Sequence, residues 1–365
     1  MSSVLIDHET IPTSIVGAVA YRVRYRSYDL HGVPTESTGL VMAPEAPGQD
    51  RRVMTWAHGT TGIGDAASPS AQPDPARELT VYFEPGTAAQ IDYGIPGLQR
   101  WIDDGWVVAA TDYQGLGTSG THQYTVGRTN AIDAVNAVNA ARELPVGAGN
   151  RVGVVGWSQG GGAAAAAVEL DATDYGDLQI MGAACMSPGV PAVGLRQPGL
   201  GDALASGHVP PDPHVFFLLA GIAAAYPDTL SLDEVLTPLG QRILEQSGNT
   251  QPVHHFGDTL ARMERHAGPT TRIDPAAWPK WADAISSSGA AQLRPVAPVL
   301  VLRDAQMDDG PCPTPWQLGY IQAVKDLGGD ITEKVYPDDD HFSLPQHCVD
   351  DARSWLSAQF DAAAG

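Results

Sequence analysis

Three stretches of the chain hold side chains that together could run nucleophilic catalysis. The first is Arg151 to Gly162, where a valine-rich run leads into Gly156-Trp157-Ser158-Gln159-Gly160, followed by Gly161, Gly162 and the alanines Ala163 to Ala167. β-Branched residues before the motif favour a strand and the alanines after it favour a helix, which places the serine at a strand-to-helix turn. Such a turn strains the backbone at the nucleophile, and glycines at 156 and 160 let the neighbouring chains close up. Ser158 then stands above the strand ends at a helix N-terminus, with the backbone N–H of Gln159 facing a developing oxyanion. Without the flanking strand and helix, the same five residues are only a glycine-rich turn with a bystander serine.

A serine nucleophile needs a base, and the base needs an orienting acid. Where the serine sits on a strand-to-helix turn, the acid follows it in the chain and the histidine comes last. His341, in the loop after the last predicted strand, meets that order, with His347 as its only late rival among 11 histidines. The acid is expected in Arg303 to Pro311, after a strand at Val299 to Leu302. Asp308 is favoured; Asp304 lies close to the strand end, and Asp309 is offset by one.

The remaining stretches follow other strand ends. In Trp56-Ala57-His58-Gly59-Thr60-Thr61-Gly62, small residues let the loop curl over a neighbouring site. Thr60 is the candidate second oxyanion donor through its N–H, with its hydroxyl as a helper. His58 precedes the serine and ends a strand, so it is read as orienting the loop rather than as the base. Tyr113, in Asp112-Tyr113-Gln114-Gly115, either points its hydroxyl at substrate or braces the loop, and Asp112 reads equally well as bonding turn N–H groups. His58, Thr61, Tyr113 and Trp157 are the expected crevice residues. Phe216 and Phe217 are candidates for an acyl pocket, though their helical spacing also fits a core.

These residues need a scaffold. Ala20 to Tyr28 and Ser37 to Met42 alternate across a turn and predict an antiparallel hairpin. Strands at Arg52–His58, Gly105–Thr111, Arg151–Trp157 and Gln179–Ser187 then alternate with helices, including Asn130–Leu144. The same pattern returns after Pro295, with strands at Ala297–Arg303 and Ile331–Tyr336 and helices at Thr314–Leu327 and Val349–Phe360. This order predicts an α/β fold: a mostly parallel sheet with helices on both faces, whose ligands bind beyond the strands' carboxyl ends. Residues 189–295 show no buried strand but amphipathic stretches such as His214–Tyr226 and Ser231–Gln246, and they are expected to form a helical cap. The core would then be residues 1–188 and 296–365.

Composition narrows the partners. A net charge of −21 argues against nucleic acid. No apolar run reaches the ~18 residues of a membrane helix. The N-terminus lacks the basic and apolar parts of a secretory leader, so a cytoplasmic location is expected for the sequence as it stands, and secretion if a leader has been removed. Three cysteines are too few for a disulfide framework. Cys185 reads as core filler, whereas Cys312 and Cys348 fall in or near the acid and base loops, where a bridge is one option.

The motifs Thr55 to Gly62, Thr111 to Thr118 and Gly156 to Gly161, with Ala220-Gly221-Ile222-Ala223-Ala224-Ala225-Tyr226-Pro227, resemble the secretory-lipase family. This is the yeast lipase A type and its actinobacterial relatives, within the α/β-hydrolases. The likeness runs from about Tyr21 to the C-terminal helix. It implies an α/β-hydrolase fold with a helical lid, a Ser158–Asp308–His341 triad, no cofactor or metal, and hydrolysis of lipophilic carboxylic esters. The chain departs from the family pattern at Gly64 to Ser70, which lacks a cysteine, and in the acid loop, where Met307 falls at the aspartate position if Pro311 is the anchor. An acyltransferase with the same serine machinery, or a non-catalytic binder on this scaffold, are the other readings.

Overall fold

The structure is a computed structural model that describes residues 3–82, 90–197, 201, 204, 206, 207, 209, 211–306 and 310–363. Among these, nine strands form one sheet in the order β1-β2-β3-β5-β4-β6-β7-β8-β9. They are β1 (Leu5–Ile11), β2 (Ala18–Tyr28), β3 (Pro34–Pro44), β4 (Arg51–Ala57), β5 (Val107–Thr111), β6 (Ala148–Trp157), β7 (Gln179–Met186), β8 (Val299–Asp304) and β9 (Ile331–Tyr336). The β2–β3 hairpin is antiparallel, with Ala18 opposite Pro44 and Tyr28 opposite Pro34. From β5 to β9 every pairing is parallel.

Successive residues of the central strands belong to different cores. Val53, Val107, Val154, Ala183, Val299 and Val301 pack with the helix Gly127–Arg142 and the helix Gln159–Ala167. Their neighbours Met54, Val108, Val155, Ala184, Leu300 and Leu302 pack with Leu98, Trp101 and the C-terminal helix Leu344–Ala362. That two-residue alternation is the sheet's two faces, each covered by helices. Strands buried on both faces carry continuous apolar runs, which is why β4 to β8 were legible as parallel strands.

The outer strands differ. β1, Leu5-Ile6-Asp7-His8-Glu9-Thr10-Ile11, is solvent-facing along its middle five residues and shows no apolar alternation. β9 is likewise exposed through Thr332 to Val335, and its Glu333 and Lys334 pair with Arg303 and Asp351.

Between β7 and β8 the chain runs through the helices Pro213–Ala225, Pro238–Ser247, Val253–Ala267 and Trp278–Ser288. They share a separate apolar core built on Phe216, Phe217, Phe256, Leu260 and Trp281, which also takes in Tyr124 and Val126. Val253, Phe256 and Leu260 place one stripe of the helix Val253–Ala267 in that core. The amphipathic stretch Ser231–Gln246 is not one helix. A short turn at Leu232–Glu234 ends before Thr237, whose hydroxyl accepts from Gly240 N–H at 3.2 Å, and Pro238 opens a new helix at its first position.

Candidate active site

Ser158 sits where β6 turns into the helix Gln159–Ala167, at φ +59° and ψ −117°. That conformation is costly for a residue with a Cβ and persists only where the surroundings enforce it. Here the enforcement is close packing. A Cβ on Gly156 would lie 2.0 Å from the Gly160 carbonyl oxygen, and one on Gly160 would lie 1.9 Å from that of Ala57. The Ser158 N–H donates to Met186 at 3.0 Å, and its carbonyl accepts from Gly162 at 3.1 Å and Gly189 at 2.8 Å. Three consecutive helical glycines are thus a packing requirement, since a side chain at 162 would meet the Gly189 carbonyl oxygen at 2.1 Å.

His341 is drawn against the same turn. The Trp157 indole N–H donates to the His341 carbonyl at 2.9 Å, and the two rings lie 5.4 Å apart. The imidazole is buried, and its Nδ1 has no hydrogen-bond partner among the described residues. Burial foremost, with the nearby His214, pushes its pKa down to about 3, while Asp340 pulls the other way. No hydrogen bond joins His341 to Ser158; the polar neighbour of Ser158 Oγ is Cys312 Sγ, at 3.9 Å. The rival His347 is exposed and pairs with Asp339.

Asp308, the favoured acid, and Asp309 lie outside the described residues. Asp304 ends β8 fully buried, accepting from Ser187 Oγ and from Gln317 Nε2 at 3.0 Å, with burial raising its pKa. Its Oδ2 has no hydrogen-bond partner among the described residues.

The loop after β4 carries Thr60 and Thr61, both buried. Thr60 Oγ1 and the Tyr124 hydroxyl are 2.7 Å apart. Gln159 opens its helix, so its N–H has no intrahelical acceptor. Among the described residues the Thr60 N–H donates to no backbone carbonyl either. His58 is not positioned as a base: its Nδ1–H donates to Gly59 at 2.6 Å, and Nε2 lies 3.3 Å from the Asp112 carbonyl. Tyr113 braces rather than reaches out, since its buried hydroxyl donates to the His58 carbonyl at 3.0 Å. Asp112 ties the neighbouring turn together, accepting from Ser70 N–H at 2.9 Å and Thr38 Oγ1 at 2.8 Å.

A cavity of about 190 Å³ opens onto Ser158 and Gln159. Phe216 and Phe217 do not line it. Both are wholly buried in the helical core, against Phe256, and Val215 and Leu218 of the same helix face the cavity instead. Residues three apart on a helix share a face, so Val215 and Leu218 look the same way, while Phe216 and Phe217 between them fall on the opposite, inner side. Cys312 lines the cavity as a free thiol, and Cys348 is a free thiol buried in the C-terminal helix, so they form no bridge. Burial pushes the Cys312 thiol up to about 12.

Sequence reasoning passed over several site residues. His122 donates through Nδ1 to the Gln114 carbonyl at 2.9 Å, and its Nε2 accepts from the Gln159 side chain at 2.8 Å. Burial lowers its pKa to about 3, so the ring is neutral. Tyr124, His214 and Trp316 border the cavity. None lies in a motif; only tertiary neighbours give them a place. No cluster of three or more His, Cys, Asp or Glu side chains among the described residues has the arrangement to hold a metal ion. Among those residues, too, no helix is long and apolar enough to cross a membrane.

A nine-stranded sheet with helices on both faces and a strained serine on its central strand-to-helix turn defines an α/β-hydrolase. Within that class, the secretory lipase family matches residues 84–261, a stretch that includes the Asp112–Gly117 and Gly156–Gly161 motifs. The rice cell wall degrading esterase LipA from Xanthomonas oryzae shares the fold, with a TM-score of 0.74 at 16% identity over 98% of this chain and 99% of that one. Candida antarctica lipase A in its closed state gives a TM-score of 0.71 at 17% identity, covering 99% of this chain and 83% of that one. A Legionella pneumophila protein assigned as a hydrolase gives 0.69 at 16% identity, covering 98% of each chain. No functionally curated protein matches significantly. The family match supports ester hydrolysis as the activity.

Proposed function

We propose that the protein is a serine esterase or lipase that cleaves small lipophilic carboxylic esters through an acyl-enzyme on Ser158. The observation carrying this reading is Ser158 itself, held in a strained turn beside unspent N–H donors at the floor of a largely apolar cavity. Ser158 Oγ attacks the ester carbonyl as His341 takes its proton, and the N–H groups of Thr60 and Gln159 hold the oxyanion. His341 then protonates the leaving alcohol and later activates water. The unpartnered Nδ1 of His341 calls for a carboxylate, because an imidazole held near 3 is a weak base and an anion at Nδ1 raises it. Asp308 takes the role of the acid, with Asp304 at the end of β8 and Asp309 beside Asp308 as the alternatives. The helices of residues 189–295 serve as the cap that covers the cavity.

The test is hydrolysis of p-nitrophenyl esters from acetyl to palmitoyl, with Ser158→Ala, His341→Ala and the Asn variants of the three aspartates. Ser158→Ala and His341→Ala should each lose at least about 10⁴-fold in kcat. One Asp→Asn variant alone should fall by about 10⁴-fold and so identify the acid. Undiminished turnover in Ser158→Ala would remove the acyl-enzyme reading.

A further inference from the structure

The cavity over Ser158 is also lined by a carboxylate–histidine pair, Asp212 and His214, at the start of the helix Pro213–Ala225. Asp212 caps that helix, its Oδ1 accepting from His214 N–H at 2.8 Å, and the same oxygen accepts from His214 Nδ1 at 2.9 Å. A carboxylate accepts only from a protonated nitrogen, so neutral His214 carries its proton on Nδ1 and presents the Nε2 lone pair. Burial works against the Asp212 charge, but the His214 hydrogen bonds hold its pKa below the usual range, which keeps that arrangement in place. Nε2 has no hydrogen-bond partner among the described residues, and the ring, about a third exposed, borders the cavity.

Much of the cavity wall is apolar, formed by Pro191, Val215, Leu218, Pro311 and Pro313, and the Thr125 hydroxyl that also lines it already donates to the Tyr124 carbonyl at 2.7 Å. The Tyr124 hydroxyl is already engaged with Thr60. When a substrate displaces water from such a pocket, a bare acceptor is costly unless the substrate returns a donor. An anionic substrate group is disfavoured there, because the Asp212 carboxylate lies directly behind the ring and the whole chain carries −21. A neutral hydroxyl fits.

We propose that His214, held by Asp212, is a specificity-determining residue that accepts a hydrogen bond from a hydroxyl of the bound ester. The favoured substrates then carry a hydroxyl on the acyl chain or on a polyol leaving group. This rests on the ester-hydrolase reading above and names the substrate class of that same site.

Two matched pairs test it and separate the two sources: ethyl 3-hydroxybutyrate against ethyl butyrate, and 2-hydroxyethyl butyrate against propyl butyrate. The wild-type enzyme should favour the hydroxylated member of one pair by about threefold to tenfold in kcat/KM, the worth of one net hydrogen bond. The ratio within each variant is the readout, because it cancels differences in the active fraction. In His214→Phe the ratio should collapse to about one, and in His214→Gln, which keeps an acceptor oxygen, part of it should survive. A ratio near one for both pairs in wild type, or an unchanged ratio in His214→Phe, overturns the proposal. If no ester is turned over, the hydrolase reading fails by itself. The rates at which hydroxylated and plain alkylphosphonates label Ser158 then decide the role of His214 in the same way.

Discussion

At the scale of single residues, the site is built around a backbone conformation. Ser158 at φ +59°, ψ −117° carries strain on the order of 1–3 kcal/mol that glycine would not. Ser158→Gly should therefore abolish turnover while raising the unfolding free energy by about 1 kcal/mol, measured by urea denaturation. A loss of stability would mean that the turn is relaxed. How much of the site the sequence revealed depends on where each residue's role originates. Ser158 was legible because its strain needs glycines at fixed offsets, and those offsets are local. Tyr113, at φ +67°, keeps its loop-bracing hydroxyl, one of the two roles its position allowed. His122, His214 and Cys312 were not legible as site residues, because each owes its place to a contact 37 or more positions away in the chain. Phe216 and Phe217 take the core role, one of the two their spacing allowed. Apolar residues at helical spacing do not say which side of the helix faces a cavity and which a core.

At the scale of elements, the helix Gln159–Ala167 can approach the sheet only because Gly160, Gly161 and Gly162 leave no side chain to obstruct it. Gly160→Ala would put a Cβ 1.9 Å from the Ala57 carbonyl oxygen, a backbone contact that no rotamer relieves. That variant should lose at least about 4 kcal/mol of stability or fail to accumulate as folded protein, as circular dichroism and thermal melting would report. The parallel strands were readable from continuous apolar runs, and the helix Thr314–Asp326 nearly to its ends. Where reading failed, a physical signal was missing. β1 has water along most of its length and hence no alternation. The break at Thr237 and Pro238 was overlooked, although capping chemistry marks it plainly.

At the scale of the whole molecule, buried histidines link folding to pH. His122 is held near 3 in the folded protein, against about 6.5 in an unfolded chain. Between those values the unfolded chain binds the proton and the folded one does not, so this contribution to stability falls as pH falls below about 6.5. His122→Gln removes it. Whatever its offset at neutral pH, the variant should gain on wild type by on the order of 1.4 kcal/mol per pH unit between about pH 6 and pH 4, read from denaturation curves. A constant difference would mean that His122 is protonated in the native state.

The sheet's two outer strands bear on behaviour at high concentration. A sheet whose last strand is bare offers unpaired backbone groups to the next molecule, and apolar edge strands are seeds for fibrous aggregates. Here both rims are charged, with Asp7 and Glu9 along β1 and Glu333 and Lys334 along β9. Adding a strand to either rim means stripping water from those charges, and two molecules carrying −21 each repel as they approach. Such borders let a nine-stranded sheet end in solvent without recruiting a tenth strand from its neighbour.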